Sequence, residues 1–190
     1  MKFVQKEFSS TFEEKKSKFI AYLMPYDMFD IAMQKIKEEH PKARHYVYAY
    51  RYLNEFEQIV ENSSDDGEPK GTSGKPSLAV LAGNELINSA VIIVRYFGGI
   101  KLGTGGLVRA YGDSVNEVIK IAEFKEYQKL ITKTLVCDYT ELSKLEYLLN
   151  QENINIKNKE FSTQINLIIE LTSEQFSNLE SLLSRNILVL

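Results

Sequence analysis

All ten glycines of this 190-residue chain lie between Gly67 and Gly112, with none in the first 66 residues or the last 78. Glycine tolerates positive φ and lets other groups come close to the backbone. A chain that confines it in this way must build one irregular, close-approach segment between stretches of regular structure. Any specialised surface is therefore expected in that segment.

Composition frames this expectation. The chain is 44% apolar and 26% charged with a net charge of −3, which matches an ordinary globular protein and argues against a disordered or fibrous one. Its length suits one large domain or two small ones. Cys137 is the one cysteine, which excludes an intramolecular disulfide framework and fits a reducing compartment. No apolar run approaches the roughly 18 to 20 residues of a membrane span. The first seven residues lack the apolar core of a secretory signal. A cytoplasmic location with no membrane partner is the expectation.

Charge is unevenly spread. Residues 1–125 carry 17 basic and 17 acidic side chains, and residues 126–190 carry 6 and 9. Between Lys70 and Asp113, five basic residues (Lys70, Lys75, Arg95, Lys101, Arg109) face two acidic ones (Glu85, Asp113), a net +3. A locally basic, glycine-rich stretch is compatible with an anion site. It does not suit bulk non-specific nucleic-acid binding, which calls for a strongly basic domain.

Periodicity predicts two strands, Phe3 to Phe12 and Ser17 to Met24, then a helix from Asp27 to Glu39. A strand over Arg44 to Leu53 and another over Glu57 to Glu61 follow. A polar loop spans Asn62 to Lys75, and Pro76 suits the first turn of a short helix to Ile87. The β-branched run Ala90 to Val94 reads as a buried strand. A long helix follows from Gly103 to Phe124, with Leu107, Tyr111, Val115, Val118 and Ala122 on its buried stripe. Gly112 in its middle costs about 1 kcal/mol relative to alanine, so close packing is expected to compensate. Beyond a boundary near residues 124–128, the pattern is strand (130–138), helix (141–151), strand (154–159), strand (162–171), helix (173–183) and strand (187–190). This βαββαβ order is the ferredoxin-like pattern. The expected organisation is α+β with two domains, residues 1–125 and 126–190.

Two motifs carry candidate chemistry. Asp65-Asp66-Gly67-Glu68-Pro69-Lys70-Gly71-Thr72-Ser73-Gly74-Lys75-Pro76 places carboxylates before a flexible, hydroxyl-bearing loop that ends at a helix start. That order could hold an anion on backbone N–H groups. It lacks the glycine spacing of a Walker A loop, and its carboxylates do not follow EF-hand spacing. A solvated loop with capping roles is the competing reading. The stretch from Arg95 to Asp113 follows a buried strand and opens a helix, where a glycine-rich turn can present amides to phosphate. It departs from G-x-G-x-x-G at Val108. A tight strand-to-helix connection accounts for one or two glycines but not for five between Gly98 and Gly106. Arg95, Lys101 and Arg109 would supply charge, although Arg109 and Asp113 could simply pair.

Other candidates are weaker. His40, His45 and Cys137 make a poor zinc set, and no nucleophile triad follows from spacing. His45 on a strand reads as a hydrogen-bonded structural histidine before it reads as a base. Tyr46, Tyr48, Tyr50 and Tyr52 share one strand face. Such a face can stack bases, but packing beneath a helix is the commoner reason. Cys137 reads as a small core residue.

The segments Asp65-Asp66-Gly67-Glu68-Pro69, Gly71-Thr72-Ser73-Gly74-Lys75-Pro76 and Val94-Arg95-Tyr96-Phe97-Gly98-Gly99-Ile100-Lys101-Leu102-Gly103-Thr104-Gly105-Gly106-Leu107-Val108-Arg109-Ala110-Tyr111 resemble the IMPACT family in its bacterial YigZ-like branch. His45, Ala49, Tyr50 and Arg51 resemble the family's upstream strand. Lys70 and Ser73 are the small departures. The resemblance covers essentially the whole chain. It implies an N-terminal α/β-sandwich domain like that of a small-subunit ribosomal protein and of domain IV of elongation factor G. It also implies a ferredoxin-like C-terminal domain similar to domain V of that factor. Eukaryotic relatives regulate translation by interfering with activation of the general-control kinase. They use a further N-terminal domain with no counterpart here, so that role is not carried over.

The resulting expectation is a non-enzymatic, translation-associated regulator that binds RNA, the ribosome or a translation factor through its basic glycine-rich surface. One alternative is an enzyme acting on a phosphorylated small molecule or nucleotide, with Asp65, Asp66 or Glu68 on a metal and Lys75 and loop amides on phosphate. Another is a purely protein-binding module. Candidate ligand-binding residues are Asp65, Asp66, Glu68, Lys75, Arg95, Gly98, Gly99, Lys101, Gly103, Thr104, Gly105, Gly106 and Arg109. No catalytic residue, cofactor or metal is assigned.

Overall fold

A computed structural model describes all 190 residues, and these divide into two units, Met1–Tyr127 and Gln128–Leu190. The first unit opens with a two-residue strand, β1 (Lys2–Phe3), and the hairpin β2 (Phe8–Glu14) and β3 (Ser17–Pro25). One 3-10 turn (Tyr26–Met28) leads into helix α1 (Phe29–Glu39). Strands β4 (His45–Leu53) and β5 (Ile59–Ser64), helix α2 (Gly74–Gly83), strand β6 (Ser89–Tyr96), helix α3 (Gly103–Ile121) and strand β7 (Lys125–Glu126) complete it. Five strands form one sheet in the order β2-β3-β6-β4-β5, with all neighbours antiparallel.

The apolar run in β6 explains its central place, since seven of its eight residues are buried. A strand covered on both faces needs apolar side chains at every position. Alternation sends Val91 and Ile93 to one face, where they join Phe19, Ala21, Leu23, Val47 and Ala49 beneath α2 and α3. Ala90, Ile92 and Val94 face the other way and pack with Met24, Ala32 and Ile36 under α1. The strand tyrosines lie on this second face. The ring of Phe29 meets Tyr48 at 5.1 Å and Tyr50 at 5.4 Å, and Tyr26 stacks on Tyr52 at 4.1 Å. They pack beneath a helix.

Several elements differ from their expected bounds; strand β5, expected over Glu57 to Glu61, runs on to Ser64 and takes in the first residues of the expected polar loop. The expected strand over Phe3 to Phe12 is two strands, because Lys2 and Phe3 turn aside to pair with Glu126 and Lys125. Helix α2 starts two residues before Pro76 and ends at Gly83. Leu86 and Ile87 are fully buried in the link beyond it. Helix α3 stops at Ile121. Its buried stripe holds Leu107, Tyr111, Val115 and Val118, and adds Ala110 and Ser114.

Gly112 is not enforced by close packing. A Cβ built there would stand 3.8 Å from Val80 Cγ2, an ordinary contact. Gly112→Ala is therefore expected to stabilise the protein by about 0.5–1 kcal/mol, since it removes unfolded-state freedom and restores helix propensity. A urea-denaturation midpoint that falls instead of rising would refute this.

The second unit runs β8 (Leu130–Cys137), α4 (Leu142–Gln151), β9 (Asn155–Phe161), β10 (Ile165–Thr172), α5 (Ser173–Leu182) and β11 (Leu188–Val189). Its strands lie in the order β11-β8-β10-β9. Leu135, Leu145, Leu149, Ile165, Leu167 and Leu179 form its core, with Cys137 fully buried among them. Thr172 and Gln175 close a reciprocal capping box at the start of α5. No helix in the structure is long and apolar enough to cross a membrane.

Candidate functional site

Strand register brings the first two polar side chains together. His45 at the start of β4 pairs directly with Arg95 near the end of β6. Both stand on the same face as the neighbouring core residues Val47 and Ile93. The connections that precede α2 and α3 close over this end of the sheet. They leave a cleft of about 460 Å³ lined by Arg44, His45, Glu68, Pro69, Arg95, Phe97, Lys101, Leu102, Gly103, Thr104 and Leu107. A hollow of about 480 Å³ elsewhere in the unit is lined by Phe3, Val4, Tyr26, Met28 and Tyr52, with Asp27 its one charged residue. The convergent ionisable groups belong to the first cleft.

Glu68 is the hub of its floor. The residue is 8% exposed. Its Oε1 accepts from Arg95 Nη1 at 2.5 Å and from the Tyr111 hydroxyl at 2.8 Å, and lies 4.0 Å from His45 Nε2. Burial, reinforced by the Glu68 carboxylate, pushes the Tyr111 phenol far above its ordinary pKa, which keeps it a donor. His45 Nδ1 lies 2.7 Å from the backbone oxygen of Asp66. A carbonyl only accepts, so Nδ1 carries a proton, and Nε2 is the ring nitrogen turned toward Glu68. The structural role expected for His45 is present, and the ring also faces the cleft.

Arg95 is equally buried, and its guanidinium lies 5.5 Å from the Phe19 ring and 5.8 Å from the Phe97 ring. Its Nε is sealed from water and donates to no group in the chain. In the same cleft, α3 begins without a side-chain cap and without an acidic residue in its first turn. The N–H groups of a helix start that lack a cap are strong donors for an anion. Gly103 and Gly105 leave that start open, since a Cβ at Gly103 would meet nothing within 4 Å and one at Gly105 only the Arg109 side chain. Lys101 and Arg44 are exposed at the rim.

The other helix start is already occupied by the chain itself. Asp65 Oδ2 accepts from the Gly71 N–H at 2.6 Å. Its Oδ1 accepts from the Ser73 N–H at 3.1 Å, the Ser73 hydroxyl at 2.7 Å and the Gly74 N–H at 2.8 Å. Burial acts to raise the Asp65 carboxyl, but these donors outweigh it and hold the group below the usual carboxylate range. The amides expected to cradle an external anion before α2 thus cradle Asp65. Asp66 Oδ2 accepts from the Tyr46 N–H at 2.6 Å. The three acidic residues of the first motif therefore serve different partners, and no group of three or more His, Cys, Asp or Glu is gathered to hold a metal ion.

Of the residues singled out in the sequence, Glu68, Arg95, Lys101, Gly103 and Thr104 line the cleft, while Asp65, Asp66, Lys75, Gly98, Gly99, Gly105, Gly106 and Arg109 do not. Lys75 is exposed on α2. Gly98 donates its N–H to Ser17 Oγ at 3.2 Å. Arg109 lines a separate small hollow with Glu14, Lys15 and Asp113. Sequence reasoning did not place Arg44, His45, Pro69, Phe97, Leu102 and Leu107 in the site. His45 was beyond reach of spacing because its partnership with Arg95 is a strand register.

The family model described as the Impact N-terminal domain matches residues 15–119, and that of a domain of unknown function, DUF1949, matches residues 135–186. An IMPACT family member of Haemophilus influenzae is 41% identical over 175 residues, spanning 88% of this chain and 85% of its own. The IMPACT family member YigZ of Escherichia coli is 37% identical over 90% of this chain and 86% of its own. A crystal structure described as that of a hypothetical protein superposes with a TM-score of 0.68 at 32% identity, covering 100% of this chain and 95% of that one.

Proposed function

Because the chain belongs to the IMPACT family, in its bacterial YigZ-like branch, we propose that it is a translation-associated regulatory protein that binds RNA through the cationic cleft of its first unit. The observation that carries this reading is the uncapped start of α3, set in a cleft with Arg44, Arg95 and Lys101. Phosphate esters are the anions that such N–H groups and guanidinium forks take best. The likeness to elongation-factor domains implied by the motif resemblance adds support, since those domains belong to a protein that works on the ribosome. The chain as a whole is net −3, so attraction to RNA is a property of this face and not of the molecule. The ferredoxin-like character of the second unit belongs to the same proposal; its βαββαβ order is compatible with an accessory role.

The test is fluorescence anisotropy with labelled single-stranded RNA over a salt series. Affinity is expected to fall as salt rises, and Lys101→Ala and Arg44→Ala are each expected to flatten the log–log slope by about 0.7, the share of one single-strand phosphate contact. Binding indifferent to salt, or none at roughly 50 mM salt where such contacts are strong, would sink the reading.

A further inference from the structure

We propose that this cleft is a pocket for a single ribonucleotide, with its phosphate at the start of α3, its ribose hydroxyls on Glu68 and its base against Phe97. The inference rests on the RNA-binding reading and narrows it, from a surface that attracts phosphate to a pocket that recognises ribose.

The cleft offers several donors and one acceptor. The donors are the uncapped N–H groups of α3, the Thr104 hydroxyl, Lys101 and Arg44. Arg95 adds its charge from the wall: it is 8% exposed, it lines the cleft, and it holds Glu68 through Nη1, while its Nε is sealed inside the protein.

Beside Arg95 is an acceptor that a bare phosphate cannot use. Arg95 and Tyr111 both donate to Oε1 of Glu68, and Oε2 accepts from no group in the chain. An ionised carboxylate repels a second anion and recruits hydroxyl donors. A ligand that satisfies these donors and this acceptor together carries a phosphate and, a few bonds away, hydroxyl groups. Ribose 5′-phosphate has that arrangement, and a carboxylate on a ribose hydroxyl is a recurrent nucleotide contact.

The rest of the pocket suits a base. Phe97 is 54% exposed beside the Arg95 guanidinium, a flat ring available for stacking. Leu102, Leu107 and Pro69 supply apolar wall. A volume of about 460 Å³ lies in the range of small-molecule pockets. The 2′-hydroxyl is the group by which a protein distinguishes RNA from DNA at one site.

Isothermal titration of the full chain with AMP and with 2′-deoxy-AMP tests this directly. AMP is expected to bind at least about tenfold more tightly, the worth of one hydrogen bond to a charged acceptor. Lys101→Ala should weaken both nucleotides alike. Phe97→Ala, at an exposed position, should weaken both by roughly fivefold to a hundredfold, the span of one base–aromatic stack. Glu68→Gln keeps an oxygen for Arg95 and Tyr111 but turns Oε2 into an NH₂ donor, so AMP should fall to the affinity of its deoxy form. If that variant does not fold, the wild-type ratio and Phe97→Ala still decide. Equal affinity for the two nucleotides overturns the proposal. No binding of either, with salt-dependent RNA binding intact, overturns the ribose pocket and leaves the RNA reading standing. Loss of both kinds of binding removes both.

Discussion

Gly98→Ala is expected to destabilise the protein by more than about 3 kcal/mol, at the severe end of single substitutions. A Cβ built at Gly98 would fall 2.0 Å from the carbonyl carbon of Lys16, 2.1 Å from its oxygen and 2.3 Å from the Ser17 nitrogen. These are backbone atoms, so no rotamer change relieves the overlap. The backbone they belong to is also constrained. Lys15 and Lys16 form the two-residue turn of the β2–β3 hairpin with φ of 46° and 64°, a strained conformation for lysine that the turn geometry requires. Either the hairpin tip or the 97–102 connection must move, and the second choice displaces Phe97 and Lys101 from the rim of the cleft. Urea denaturation should show a large drop in midpoint. A loss below about 1 kcal/mol, the scale of an ordinary substitution, would mean that the connection does not rest on the hairpin. The same change at Gly112 is expected to have the opposite sign, because there the added methyl meets only Val80 at a normal distance.

That contrast shows what the sequence could and could not convey. Clustering of glycine marked the segment with irregular, closely approached backbone, because several glycines there serve a turn, a close approach or an open helix start. It could not tell these cases apart. Gly98 is pressed by residues 81 positions earlier in the chain, whereas Gly103 faces open space. Element identity was legible because apolar side chains repeat with the period of the element that buries them, and β6 and α3 read clearly for that reason. Element ends were less legible because remote groups decide them. Helix α2 begins at Gly74 because Asp65, nine residues earlier, caps its N–H groups. The cleft was half legible. Lys101, Gly103 and Thr104 lie within one continuous motif, but Arg44, His45 and Glu68 meet Arg95 only through strand register and the fold of the preceding loop.

Glu68→Ala is expected to cost about 3–5 kcal/mol, because it leaves the Arg95 guanidinium buried without its counter-charge. Arg95 is 8% exposed and has one ion-pair partner, Glu68, while Tyr111 loses its acceptor in the same step. The cost is chiefly a penalty for an orphaned charge and not the worth of the pair. A double variant therefore discriminates. Glu68→Leu combined with Arg95→Met removes both charges and fills much of the space, and should recover most of the loss, as apolar replacement of buried ion pairs often does. A double-mutant cycle from urea midpoints measures the coupling, which should exceed about 1 kcal/mol for two groups in direct contact. The recovered variant should nevertheless bind RNA and AMP more weakly and lose the preference for AMP over its deoxy form, since Arg95 and Glu68 both line the cleft. A Glu68→Ala loss below about 1 kcal/mol would place the pair among solvent-screened surface bridges. Restored stability together with restored binding would show that Glu68 and Arg95 serve the fold alone.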